Sequence, residues 1–208
     1  PNHKARFSWL LMFLTACSVF LLSTTKTSAQ TTLNAGDVAV VSINSANPDR
    51  FSVVFLKDVT AGTTFNVTDN GFTAASTTRT GEGFLTYTAP SALTAGTVVT
   101  WQNGMTITGT GWSSNAPTNF AFNGSGDQLF LFTGSTGNWP TLSGITLLFG
   151  MNYGTALSAT SSAANTVQPS TSILPATSWL NLGSSTFANT YFANQSTSTS
   201  SVSITNTA

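Results

Sequence analysis

Charge is the scarcest property of this sequence. Of its 208 residues, six are Lys or Arg and six are Asp or Glu, together 6%; an ordinary domain carries about a quarter. Cysteine and histidine occur once each, as Cys17 and His3. Both lie in a stretch with the marks of an export leader. Lys4 and Arg6 precede the apolar run Phe7 to Leu22, and Thr27-Ser28-Ala29 offers small residues for cleavage before Gln30. The apolar run falls short of the roughly 20 residues that span a bilayer. Cleavage after Ala29 removes residues 1–29 as a signal peptide. The alternative is a lipoprotein box, Leu14-Thr15-Ala16-Cys17, in which a lipidated Cys17 tethers the chain to a membrane.

Each absence excludes a chemistry. Beyond residue 29 there is no His and no Cys. That removes Ser-His-Asp catalysis, a Cys nucleophile and any zinc or copper site built on His or Cys. It also removes disulfides, so an exported chain must rely on its core. Roughly 180 residues bury about 70% of their unfolded surface, enough to stand without staples. The remaining cations are Arg50, Lys57 and Arg79, and the acids are Asp37, Asp49, Asp58, Asp69, Glu82 and Asp127. Three against six leaves a net charge of −3. Three cations cannot supply the phosphate contacts that nucleic-acid binding needs. There is no phosphate-cradling glycine motif. Beyond Gly83 the single charged side chain is Asp127. Solubility there rests on hydroxyls and amides, and such neutral faces pack against copies of themselves without desolvating charge.

What the chain does have is alternation. Strands are expected at 37–43, 51–56, 64–68, 83–88, 98–102, 105–108, 118–122, 127–133, 145–149, 190–193 and 201–205. They are separated by Gly, Asn and Pro turns, and no window of helical period intervenes. Segments 51–56, 127–133 and 145–149 are apolar on both faces and read as central strands. The expected fold is all-β: an antiparallel β-sandwich or jelly roll of about ten short strands. Residues 30–208 form one domain, with a long polar loop at about 155–172. Leu174-Pro175 and Trp179-Leu180 pin the return of that loop to the core.

One phrase is written twice. Thr60-Ala61-Gly62-Thr63 leads into 64–68 and ends at Asp69-Asn70-Gly71. Thr94-Ala95-Gly96-Thr97 leads into 98–102 and ends at Asn103-Gly104. Glycine supplies positive φ before each strand, and Asn-Gly signals a tight turn after it. Between the copies lies Arg79-Thr80-Gly81-Glu82-Gly83.

These residues supply the candidate sites. Asp69, Asn70 and Asp127 offer oxygens on loops to a calcium ion, the sole candidate cofactor, although no EF-hand spacing is present. Against this, Asp69 is a routine side-chain cap for the Asn70-Gly71 turn, and Arg79 and Glu82 form an ion pair that locks the loop. Glu82 with Asp69 or Asp127 is also the one formal carboxylate pair for hydrolysis. Trp112 and Trp139 are read as loop residues whose indoles stack on sugars or, alternatively, plug the ends of the core.

Several of these stretches carry a resemblance. The run Thr68-Asp69-Asn70-Gly71, Arg79-Thr80-Gly81-Glu82-Gly83, Leu85-Thr86-Tyr87-Thr88-Ala89-Pro90, Ala95-Gly96-Thr97-Val98-Val99 and Ser125-Gly126-Asp127-Gln128-Leu129 resembles a β-rich module. That module belongs to exported proteins of Bacteroidetes and cyanobacteria, and a more distant similarity links it to lamin-tail-like sandwich domains. The resemblance spans most of 33–196. It implies a β-fold at the cell surface and carries no catalytic residue across. The chain departs from the family's usual setting, because no enzymatic or C-terminal sorting domain follows.

The function expected is a non-catalytic extracellular structural or adhesive module of a bacterial surface. Its partners are other copies of itself, joined at strand edges, or other surface proteins. The alternative is a glycan-binding module using Trp112 and Trp139, and the least favoured reading is a carboxylate hydrolase.

Overall fold

In β2 (Arg50–Phe55), Phe51, Val53 and Phe55 are fully buried while Arg50 and Val54 on the other face are only partly covered, with Ser52 between them 9% exposed. The same two-residue rhythm sets the inner face of most strands, as expected of sheets with one face on a core. The structure is a computed structural model that describes residues 29–115, 119–154, 166–182 and 189–191. The leader with Cys17 and the expected strand at 201–205 lie outside the described residues, as does 155–165 of the long loop.

Two sheets face each other. The first runs β12 (Asn189–Tyr191), β1 (Val38–Asn44), β2, β7 (Val98–Gln102), with antiparallel pairing throughout. The second runs β11 (Trp179–Asn181), β10 (Thr146–Tyr153), β9 (Asp127–Thr133), β3 (Thr64–Thr68), β6 (Phe84–Thr88), β8 (Trp112–Asn115). Among the described residues only β10 and β11 pair in parallel. Val38, Val40, Phe51, Val53 and Phe55 meet Phe65, Val67, Leu85, Tyr87, Leu129, Leu131 and Met151 in one core between the sheets. The chain is all-β and sandwich-like, as the alternation predicts.

A third layer was not legible in the sequence. β9 is buried on both faces: Leu129 and Leu131 enter the central core, while Phe130 and Phe132 point outward into a second cluster with Phe72, Phe84, Trp139, Leu147 and Leu174. That cluster is roofed by the small hairpin β4 (Phe72–Ala74) and β5 (Thr77–Thr78), the turn around Trp139, and the segment leading to Leu174. The amide of Val167 donates to Phe72 O at 2.9 Å and that of Ser170 to Ala75 O at 2.8 Å, fastening the roof. Gly150 sits opposite Phe130 across the β9–β10 pair. A Cβ there would lie 2.7 Å from the Phe130 ring, so the glycine makes room for it.

Four local expectations are corrected. Residues 105–107 are irregular and run into a turn at 108–110 rather than forming a strand, and 112–115, expected as loop, is the edge strand β8. Residues 119–122 alternate but pair with no strand. They cross the end of the sandwich as a strap that buries Phe120 and Phe122 against Phe51 and Trp101. The polar stretch 73–80, expected as loop, contains the β4–β5 hairpin.

Candidate functional site

The two copies of the doubled phrase start side by side and then part. Val59 and Leu93 exchange backbone hydrogen bonds of 2.9 Å each way, and Gly62 and Gly96 take φ of +83° and +89°, as expected. Asp58 caps the second copy by accepting from the Ala95 amide at 2.8 Å. The strands then enter different sheets, β3 at the centre of one and β7 at the edge of the other. The copies also end differently. Gly104 has positive φ, Gly71 does not, and Asn70 is fully buried. Its amide nitrogen donates to Thr68 Oγ1 at 2.8 Å and Glu82 O at 3.1 Å, and its oxygen accepts from the Glu82 amide at 3.1 Å. Asn70 is thus a clamp on the 80–83 loop rather than the corner of a hairpin.

Asp69 does not cap that turn either. Its side chain points to the strap, where Oδ2 accepts from the Ala121 amide at 2.9 Å. The next two amides of the strap are held in the same way. Phe122 donates to Asp49 Oδ2 at 2.9 Å, and Asn123 donates to Asp127 Oδ2 at 2.8 Å. Asp127 Oδ1 accepts from the Gln128 amide at 2.9 Å, and Tyr153 Oη donates to Asn123 O at 3.2 Å. Asn119 adds a bond from its side chain to Gly81 O. Three carboxyls from three elements therefore hold three consecutive amides. Gly83 allows the close approach, since a Cβ there would sit 2.1 Å from Phe120 N.

The electrostatics are severe. Asp69 is 1% and Asp127 3% exposed. Burial pushes Asp69 from 3.8 up to about 8, with the Ala121 amide opposing the rise and the Glu82 charge adding to it. Burial lifts Glu82 from 4.5 to about 7, and Arg79 pulls it back. Asp127 is also raised well above the carboxylate range, by burial first and then by repulsion from Asp69 and Glu82, against its two amide donors. Asp49 is raised, by burial. Asp69 Oδ1 and Glu82 Oε2 are buried and accept no hydrogen bond. The expected Arg79–Glu82 relation is present as an attraction, but it is smaller than the cost of burial.

The structure thus brings Asp69, Glu82 and Asp127 within electrostatic reach of one another. Their donor set does not suit calcium, which takes about six to eight oxygens. Asn70 Oδ1 is engaged by Glu82, and both Asp127 oxygens are engaged by amides. Among the described residues no group of three or more acidic, His or Cys side chains is placed to hold a metal ion.

Of the two readings of Trp112 and Trp139, the core plug holds and the sugar-stacking face does not, and Trp112 lies in a strand rather than a loop. Trp112 opens β8 and is 4% exposed, packed edge-on to Phe51, Phe65 and Tyr87. Trp139 is completely buried beneath the roof, against Phe72, Phe84, Phe130 and Phe132, with Nε1 donating to Arg79 O at 3.1 Å. Neither indole offers a face to a sugar ring. A cavity of about 380 Å³ lies between residues 30–33, Thr64, Asn66, Thr133 and Gly134, and no charged or aromatic side chain lines it. Asp49 and Tyr153 escaped sequence reasoning. Asp49 reads as ordinary turn chemistry after Pro48, and nothing in spacing alone connects it to Phe122.

In comparisons with protein families, curated proteins and solved structures, nothing matches this chain.

Proposed function

We propose that the chain is a non-catalytic structural or adhesive module of a bacterial cell surface that assembles with copies of itself through the free edge of β7. The observation that carries this reading is the edge itself. Among the described residues β7 is the terminal strand of its sheet and the longest edge strand of either sheet, and its sequence Val-Val-Thr-Trp-Gln has no charge and no proline. Edge strands are ordinarily blunted by Lys, Pro, bulges or covering segments. Here Val98 is 51% exposed, and it and Ile107 are the large hydrophobics exposed among the described residues. On the outward face Ser52 and Thr100 are joined by a 2.8 Å hydrogen bond, and Arg50, opposite Gln102, is the one charged side chain of β2 and β7.

Two copies meeting antiparallel at β7 extend one sheet into the next with self-complementary main-chain hydrogen bonds, and no charge is stripped of water. The lack of His and Cys beyond residue 29 and the interior position of Asp69 and Asp127 support a non-enzymatic role. Export rests on the leader, and the surface location on the resemblance. The test is Val98→Lys, which places a charge on the edge. Sedimentation velocity of the wild type is expected to show concentration-dependent growth that the variant lacks. A wild type that sediments as a monomer throughout would overturn the proposal.

A further inference from the structure

The strap is fastened by groups that are poorly suited to their surroundings if charged. Six titratable side chains face it or its clamps: Asp49 before β2, Asp69 after β3, Arg79 and Glu82 between β5 and β6, Asp127 at the start of β9, and Tyr153 at the end of β10. Arg50 follows Asp49 in the chain. Arg79 acts on Glu82, while no cation contributes to the shifts at Asp69 or Asp127. Isolated buried carboxylates are unfavourable by several kcal/mol and escape by taking a proton. The oxygens show where the protons go. Asp127 has an amide on each oxygen, which favours its carboxylate. Asp69 Oδ1 and Glu82 Oε2 accept nothing.

We propose that Asp69, Glu82 and Asp127 form a proton-loaded latch, which holds the strap 119–126 across the end of the sandwich when protonated and releases it when alkaline solution removes the protons. Release uncovers Phe120 and Phe122 together with the Trp101 and Phe51 rings they cover. The latch acts by charge. Once Asp69 and Glu82 ionise beside Asp127, three negative groups share a dry site, and the cheapest relief is to admit water by lifting the strap. The protons belong to the cluster as a whole, so their loss follows coupled steps. This inference does not depend on assembly through β7, although the strap packs on Trp101 of that strand from the core side.

The test is solvent-exchange NMR on the full chain, reading protection of the Ala121, Phe122 and Asn123 amides after correction for base-catalysed exchange. Between about pH 6 and about pH 9 their protection is expected to fall by at least about tenfold more than that of Leu129 to Leu131 in β9. Asp69→Asn and Glu82→Gln mimic the protonated acids, and together they should keep the strap protected at the higher pH. Unchanged protection in the wild type overturns the latch, and so does equal loss in β9, which would mean global unfolding. Calcium chloride restoring protection at the higher pH would assign the cluster to a cation and overturn the proton reading. If the double variant does not fold, the wild-type profile alone decides.

Discussion

Asp69 has one oxygen on the Ala121 amide and one that accepts no hydrogen bond. A carboxyl raised on folding stabilises the fold while it is protonated in the native state. That contribution is complete below the unfolded value and is lost as pH rises through the folded one. For Asp69 the window runs from 3.8 to about 8, and for Glu82 from 4.5 to about 7. The denaturation midpoint in urea is therefore expected to fall between about pH 5 and about pH 9, the reverse of ordinary acid denaturation. Asp69→Asn should flatten that slope and gain ~1–3 kcal/mol at the alkaline end. A midpoint that rises with pH would contradict this account. Gly83 gives a second residue-scale prediction. Gly83→Ala drives a methyl into Phe120 N and should destabilise the protein by about 1–3 kcal/mol, with loss of strap protection ahead of sheet protection. Neither role was legible in the sequence. Asp69-Asn70-Gly71 carries the chemistry of a turn, and only the remote Ala121 amide makes Asp69 something else.

The doubled phrase shows how far local pattern reaches. Positive φ at Gly62 and Gly96 and both following strands were legible, because turn chemistry and alternation act over a few residues. That one copy lies in a sheet centre and the other at an edge was not, because long-range pairing decides it. The strap fails for the same reason: Thr118-Asn119-Phe120-Ala121-Phe122 has a strand's period, yet its amides go to carboxyls. The roof is the clearest case at this scale. β9 reads as fully buried, but what covers its second face comes from residues 72–78, 139 and 166–174, none of them apolar enough alone to announce a layer. Trp139 binds these pieces to the sheet. Trp139→Ala should cost about 3–5 kcal/mol by denaturant titration and loosen β4–β5 before the central core. An effect under about 1 kcal/mol would mean that the roof contributes little.

For the whole molecule, the scarcity of charge and the free edge belong together. The described ion pair, Lys57 with Asp37 at 3.1 Å, is partly exposed to solvent and adds little to stability. Stability comes from two apolar clusters on either side of one sheet, which leaves the other sheet's edge strand and outer face to solvent or to a partner. Asp49, Asp69 and Asp127 are interior, and none of the acids lies on β7, so that edge carries no charge to keep copies apart. Val98→Lys restores a gatekeeper at an exposed position and should change stability by less than about 0.5 kcal/mol. Its effect is therefore separable from folding. Sedimentation velocity of the wild type and Val98→Lys side by side, over a wide concentration range, tests the account most directly. The account predicts species that grow with concentration in the wild type and a persistent monomer in the variant. A wild type that stays monomeric, or a variant that assembles equally well, would contradict it.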